Sequence, residues 1–408
     1  TYFILFRFFN IIHFSCILCF YKCLLHIKKI YMKILNVIMS IDKEKGGGAV
    51  ERVCNLSKYL SLSGHDCTIL TTSKNFSKKR AKSLGNVKVI KLPYISERYL
   101  IPIGIFSWLR SNVHKFDKVH LSLNWSVITA ITFIYFKFNK IDYYFSAMGW
   151  LKIAGNSKFL KFIYKYLFTY SMIKNAKKCI AISKNEVNDY LKFGIKKKKI
   201  SLIPNGIDDK YYLKKYSYYN FKKKYELENK RIIFFIGRID KIKGTDLLLH
   251  AFYKIQKIYK NLHLVICGFD GGILNELKNF CEEKNIKSKV TFLNPIWGRE
   301  KIFAYKSADV CVIPSRYDTM TIVALEAGIL SAPLIITKQS NFSDIKKSNG
   351  AIEVNASIAG ISKGLKNILS NKKKLFLMKK KIKMYVIKNY SWNIVVLKFI
   401  KLFKENKI

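Results

Sequence analysis

From Met32 onward, short apolar runs alternate with amphipathic stretches. The runs at 32–39, 66–71, 86–92, 117–121, 141–146, 178–182 and 199–203 are short and nearly continuous in apolar residues, the pattern of strands buried on both faces. Between most of them apolar positions recur every three to four residues, which predicts helices over 48–63, 125–137, 157–174 and 183–192. Strands alternating with helices in this way predict βαβ units in a parallel sheet. A polar stretch rich in Lys and Tyr, 209–230, has no strand pattern and marks a boundary. The alternation then restarts, with strands expected at 231–237, 262–267, 289–293, 308–313, 333–337 and 350–354 and helices at 244–260, 272–285, 298–307 and 322–331. Three last helices, 357–369, 371–388 and 391–405, carry dense Lys on one side and Ile, Leu and Phe on the other. The fold class expected is α/β: two doubly wound, Rossmann-like domains, 32–209 and 210–388, facing each other across a cleft. A ligand belongs in that cleft, outside the carboxyl ends of the strands.

Residues 1–31 stand apart. The stretch 8–27 is about long enough to span a bilayer, but His13, Lys22 and His26 interrupt it and no small-residue cleavage site follows. Two readings stand: an upstream extension outside the fold, or a membrane anchor. Either way MKILNVIMSIDKEKGGGAV, from Met32, reads as a start followed by a first buried strand.

Composition supports a globular chain. Of 408 residues, half are hydrophobic and 14% aromatic, and Gly and Pro total only 26, which excludes a disordered chain, a collagen-like repeat or a disulfide miniprotein. The net charge is +48, from 74 Lys and Arg against 26 Asp and Glu. This excess admits an anionic partner (nucleic acid, a membrane surface, a phosphorylated substrate) or a Lys-biased composition spread over solvated faces. Only nine of the 74 are Arg, and no helix-turn-helix, RNP or zinc pattern accompanies them, so no nucleic-acid partner is expected. The nine Cys are scattered without metal spacing, mostly in apolar runs, as in a protein of the reducing cytosol.

Three segments carry candidate chemistry. The first strand leads into Gly46-Gly47-Gly48, which opens a helix; such a turn either simply reverses the chain or lets the backbone and helix N-terminus approach an anion. In FFIGRIDKIKG, Arg238 lies just past a strand tip and Lys243 precedes the next helix, a placement suited to a diphosphate and to the charge it gains as a leaving group; Lys243 alone, beside the equally basic Lys241, reads as part of a solvated Lys-rich loop, and Arg238 is the sharper signal. In VCVIPSRYDTMTIVALEAG, Asp318 sits on a loop and Glu326 on a helix whose start, near Thr321 and Ile322, is suited to receive phosphate oxygens. Glu326 is ringed by apolar residues, and the cost of burying a carboxylate favours a ligand contact there. His120 ends a strand and reads as a structural residue; no nucleophile elbow or triad pattern is present.

With these pieces in hand, the chain from about Met32 resembles the retaining GT-B glycosyltransferases of glycosyltransferase family 4, also called glycosyl transferases group 1. The segments that carry the resemblance occur in the family's order: GGGAVERV, SGHDCTILTT, CIAISKNEVNDYLKFGI, ISLIPNGID, GRIDKIKG, LVICGFDGG, VTFLNPIWGREKIFAYKSADVCVIPS and the block ending ALEAG. The resemblance implies that Arg238 and Lys243 bind the diphosphate of a nucleotide sugar and that Glu326 holds the nucleotide ribose. It implies that Gly47 and Gly48 meet the donor phosphates and shape the acceptor site, and that the backbone of Thr321, Ile322 and Val323 meets the phosphates and sugar. It implies no metal and no cofactor beyond the donor, and a final helix, 389–408, crossing back to the N-terminal domain. Three departures stand out: Asp318 where the family usually has Glu, Asp318-Thr319-Met320-Thr321 in place of a Gly-containing loop, and Met148 where His or Arg is common.

The expected activity is sugar transfer, with retention, from a nucleotide-diphosphate sugar to an acceptor hydroxyl, with Asp318 positioning the sugar. The acceptor expected is a lipid-linked glycan of bacterial surface polysaccharide synthesis. The enzyme is then peripheral at the cytoplasmic face of an anionic membrane, held by the Lys-rich terminal helices. The alternatives are a degenerate relative that binds nucleotide sugar or membrane without turnover, and a nucleotide-sugar 2-epimerase.

Overall fold

The computed structural model describes residues 31–42, 46–153, 157–217, 219–259 and 261–405. The anchor-or-extension question at 1–31 therefore lies outside the described residues, Tyr31 excepted.

Both expected parallel sheets are present. The first contains β1 (Lys33–Val37), β2 (Asp66–Thr72), β3 (Lys88–Leu92), β6 (Lys118–Ser122), β7 (Tyr144–Ser146), β8 (Lys178–Ala181) and β9 (Ile200–Leu202), in the order β3-β2-β1-β6-β7-β8-β9. A small antiparallel hairpin, β4 (Tyr94–Ile95) with β5 (Ile101–Pro102), lies apart from it. The second contains β10 (Arg231–Ile236), β11 (Leu262–Cys267), β12 (Val290–Leu293), β13 (Val310–Ile313), β14 (Leu334–Thr337) and β15 (Ala351–Val354), in the order β12-β11-β10-β13-β14-β15. Central strands such as β6, β11 and β13 are buried at every position, because helices cover both faces of each sheet. The strand order reverses between β1 and β6 in one sheet and between β10 and β13 in the other. Crossovers leave these neighbouring strands toward opposite faces, which opens a crevice at their carboxyl ends.

The chain crosses between the domains twice, side by side. The first crossing is Ile203–Asp208; the second follows the helix Lys372–Tyr390. At Ile207 the two are hydrogen-bonded: its N–H donates to Tyr390 O (2.8 Å) and its carbonyl accepts from Trp392 N–H (3.0 Å). The last helix, Trp392–Lys404, then buries Trp392, Val395, Phe399 and Phe403 in the core of the first domain.

Two local readings change. The helix expected over 157–174 is interrupted by a wider π turn, Lys165–Thr169, between Lys158–Tyr164 and Tyr170–Asn175. The polar boundary 209–230 contains two short helices, Asp209–Leu213 and Phe221–Lys224. Each starts where an Asp208 or Asn220 side chain accepts the N–H three residues on, at 3.0 Å, a local signal that hydrophobic periodicity does not register.

Candidate functional site

The site is assembled at the β10/β13 reversal. Past the end of β10, Asp240 organises the turn: one carboxylate oxygen takes Arg238 Nε–H and the other takes the Lys243 backbone N–H at 2.6 Å. Asp240 is buried, whereas the Arg238 side chain is 56% exposed and keeps donors available to a ligand. Gly244 follows with φ 73°, and a Cβ there would lie 2.1 Å from the Pro314 carbonyl oxygen at the end of β13. Only glycine permits this approach, and it brings the two strand tips together. Lys243 Nζ thereby reaches Asp318 Oδ2 at 2.6 Å, and Asp318 Oδ1 accepts the Thr319 N–H at 2.8 Å. Arg238, Lys243 and Asp318 are thus gathered in one place. Asp240, which joins the two cations, was not singled out by sequence, although it stands three positions before Lys243.

The facing domain closes over this group at two points. Gly47, φ 60°, opens the helix Gly47–Leu62, and a Cβ on Gly48 would lie 3.1 Å from Ile322 Cδ1. Ile322 begins the helix Ile322–Ile329, whose N-terminus after buried Thr321 has no side-chain cap, and Val323 packs at the edge of the core. The Gly-rich turn and the Thr321–Val323 backbone therefore face each other. At the second point Gly149, φ 84°, lies so near Thr319 that a Cβ would come within 2.3 Å of it. The preceding Met148 is buried in the first domain's core, so the apolar departure at this position is a packing residue. Glu186 fixes the same loop, its carboxylate accepting the N–H groups of Gly149 and Ile182; burial raises its pKa to about 7 against those two bonds.

Glu326 has protein partners as well as room for a ligand. Its carboxylate is buried but not idle: Oε1 accepts from Tyr212 Oη (2.5 Å) and Lys301 Nζ (2.7 Å), and Oε2 from Tyr305 Oη (2.8 Å). Burial and the adjacent carboxylate hold both phenols far above their ordinary pKa, so they remain donors. Three protein groups therefore help to satisfy the buried charge. A carboxylate offers about four acceptor positions, which leaves room for one more donor.

Two further features escaped the sequence reading. Arg52, buried in the Gly47–Leu62 helix, grips the first crossing: Nη1 donates to Pro204 O (2.7 Å) and Asn205 Oδ1 (2.9 Å), and Nη2 to Ile203 O (2.7 Å). Burial brings its guanidinium down to about 10, with Glu186 opposing. Asn205 Nδ2 in turn donates to Met320 O (3.0 Å), so the Gly-rich helix, the crossing and the Asp318–Thr321 loop form one hydrogen-bonded chain. The second feature is an aromatic pair beyond β11 and β12. Phe269 and Trp297 are about half exposed with ring centroids 6.1 Å apart, and the loop carrying Phe269 packs on Arg238 through Gly271.

A separate cavity of about 330 Å³ between the domains is lined by Pro204, Met320 and Asn341 among others, and by none of Arg238, Lys243, Asp318 or Glu326. Among the described residues no three His, Cys, Asp or Glu side chains group as a metal site. Nor is any helix among them long and apolar enough to cross a membrane.

His120 is structural. It is fully buried, with Nδ1 3.0 Å from Asn36 Oδ1 and Nε2 2.7 Å from Ser146 Oγ, and burial, aided by the Arg52 charge, pushes its pKa down to about 3. The unfolded imidazole takes up a proton near pH 6.5 and the folded one only near pH 3. Between these values the unfolded chain binds more protons, so stability falls as the pH falls. His120→Asn is expected to lower the melting temperature at pH 7 yet to show a shallower decline from pH 6.5 to pH 4 than the wild type, as read by thermal denaturation.

Comparison with known proteins bears on the family and the fold. The family model described as Glycosyltransferase Family 4 matches residues 46–211, and that described as Glycosyl transferases group 1 matches 219–385. The chain is 29% identical over 247 residues to an uncharacterized glycosyltransferase of Methanocaldococcus jannaschii, covering 59% of this chain and 62% of that protein. It is 32% identical over 114 residues to a D-inositol 3-phosphate glycosyltransferase of Corynebacterium jeikeium, covering 26% and 27%. It therefore spans less than two thirds of the length of these curated relatives. The crystal structure of Anabaena HepE in complex with UDP and glucose superposes with TM-score 0.73 at 12% identity, covering 92% of this chain and all of that one. The fold is that of the GT-B glycosyltransferases, and the chain belongs to the family of glycosyltransferase family 4, glycosyl transferases group 1.

Proposed function

We propose that this protein is a retaining glycosyltransferase that moves a sugar from a nucleotide-diphosphate donor to an acceptor hydroxyl. The observation that carries the reading is the convergence of Arg238, Lys243 and Asp318 with an uncapped helix start at the β10/β13 reversal. Arg238 and Lys243 hold the diphosphate. Asp318 uses one donor of the Lys243 ammonium, leaving two for phosphate oxygens, and the backbone from Thr321 to Val323 receives others. As the bond from the sugar's anomeric carbon to the diphosphate oxygen breaks, the negative charge grows between these cations, which stabilise it without a metal. The acceptor oxygen bonds to the same carbon on the same face, and its proton passes to a departing phosphate oxygen. Asp318 orients the sugar through its loop, one methylene shorter than the family's usual Glu. Glu326, already holding three donors, takes a ribose hydroxyl as a fourth.

Phe269 and Trp297 form a platform for the nucleobase, since stacking is worth roughly 1–3 kcal/mol per base. Trp297→Ala is expected to raise the donor KM about tenfold and leave kcat within about twofold, by steady-state kinetics.

The acceptor in this reading is a lipid-linked glycan of bacterial surface polysaccharide synthesis, reached from the cytoplasmic face of an anionic membrane. The charge of +48 supports it. The test is transfer from a panel of α-linked nucleotide sugars to detergent-solubilised lipid-linked acceptors, with the product's anomeric configuration read by NMR. An α-linked product is expected; a β-linked product contradicts retention, and binding without turnover on every donor and acceptor favours the degenerate relative.

A further inference from the structure

The helical segment Lys158–Asn175 carries an apolar stripe that the described residues leave exposed. Phe159, Phe162, Ile163, Tyr166, Leu167 and Tyr170 follow the spacing i, i+3, i+4, i+7, i+8, i+11, the pattern of a helix face that packs on a core. All six are exposed instead, Phe159 at 73% and Leu167 at 62%, while Thr169, Met172 and Ile173 are the residues this segment buries. The charge of the segment itself has one sign, although Lys152, Lys177 and Lys184 at its margins pair with Asp189, Asp142 and Asp344. Between Asp142 and Glu186 the sequence has eight Lys and no carboxylate, and Lys165 Nζ lies 5.3 Å from the ring centroids of Tyr170 and Phe193. The patch also adjoins the cleft: Lys161 Nζ is 5.8 Å from the Trp150 ring, and Lys152 Nζ is 5.7 Å from the ring of Tyr317, next to Asp318.

We propose that this stripe is the surface on which the protein docks to an anionic lipid bilayer, with the aromatic and aliphatic side chains entering the headgroup boundary and the flanking lysines meeting lipid phosphates. Charge selects this occupant. A second copy on a twofold axis sets the same lysines against one another, and the segment 1–30 adds Arg7, Lys22, Lys28 and Lys29 with no carboxylate of its own. Nucleic acid offers phosphates but no apolar phase for Ile163 and Leu167. The Lys-rich terminal helices, to which the sequence assigned membrane contact, bury Ile382, Val386, Val395 and Phe399 within the fold, and their exposed apolar residues, Phe376, Leu377, Met384 and Leu397 among them, are interrupted by Lys380 and Lys381 and form no continuous stripe. Docking through Lys158–Tyr170 brings the cleft mouth at Trp150 close to the membrane plane, where a lipid-linked acceptor is presented. This deepens the acceptor reading above, but vesicle binding is measured without donor or acceptor, so either can fail alone.

The test is co-sedimentation of the full chain with phosphatidylcholine vesicles with and without phosphatidylglycerol. The wild type is expected to pellet only with the anionic vesicles. The double variant Phe159→Ser with Leu167→Ser is expected to lose about tenfold or more in partition, with its melting temperature and its binding of nucleotide sugar unchanged. The control pair Phe376→Ser with Leu377→Ser, exposed on the other domain, is expected to bind vesicles as the wild type does. The proposal is overturned if the wild type stays in solution, if the stripe variant pellets undiminished, or if the control pair loses as much. It is equally overturned if the stripe residues instead govern binding of a duplex oligonucleotide, or dimerisation in sedimentation velocity without lipid.

Discussion

Arg238→Ala is expected to fold normally and to lose transfer activity by about a hundredfold to a thousandfold in kcat/KM, the range for removing one donor aimed at developing charge. Its side chain is more than half exposed, so little core packing is lost. The buried Asp240 keeps the Lys243 N–H at 2.6 Å after the guanidinium is gone, and the turn is therefore retained. The loss should appear mainly in kcat, because the leaving diphosphate carries more charge in the transition state than in the bound donor. Arg238→Lys should recover only part of it, since an ammonium cannot bond Asp240 and span two phosphate oxygens in the fixed geometry of a guanidinium. Turnover near the wild-type value in Arg238→Ala, at an unchanged melting temperature, would remove the diphosphate from this place.

The largest effect on stability is expected at Arg52. Arg52→Met keeps most of the volume but leaves the carbonyls of Ile203 and Pro204 and the Asn205 side chain without their donor in a buried place. Leaving buried acceptors unsatisfied costs about 1–3 kcal/mol each, which for the three together corresponds to a fall in melting temperature on the order of 10 °C. Asn205→Leu separates positioning from stability. It keeps two of the three Arg52 contacts but removes the 3.0 Å bond to Met320 O, which ties the Asp318–Thr321 loop to the crossing. Its melting temperature is expected to fall less than that of Arg52→Met. Its kcat is expected to fall by up to about a hundredfold, as for a displacement of about 1 Å at a reacting group. If both variants lose activity only in proportion to their stability, the chain from Arg52 to Met320 is structural and positions nothing.

The parallel strands were legible because central strands such as β11 and β13 are apolar at nearly every position, and the two reversals followed from the repeated strand-helix alternation. The placement of Arg238 and Lys243 was legible because a strand tip followed by a short turn puts side chains at a known edge. The partners of Glu326 were not: Tyr212 lies 114 positions away in a stretch that reads as a linker, and Lys301 and Tyr305 lie on another helix. Nor was the grip of Arg52, which is largely on backbone carbonyls that no side-chain pattern records. The stripe from Phe159 to Tyr170 marks a different limit. Periodicity shows that a helix has an apolar face, but what covers the face is decided by the whole fold.

In the proposed reaction a nucleotide sugar binds with its diphosphate against Arg238 and Lys243. The most direct measurement is the melting temperature of the wild type and of Arg238→Ala with Lys243→Ala across a panel of nucleotide-diphosphate sugars. A ligand at a hundred times its Kd stabilises the folded state by about 2.7 kcal/mol, a rise of several degrees. At least one nucleotide sugar is expected to give that rise in the wild type and almost none in the double variant. The same rise in both proteins, or none with any nucleotide sugar, would contradict the account.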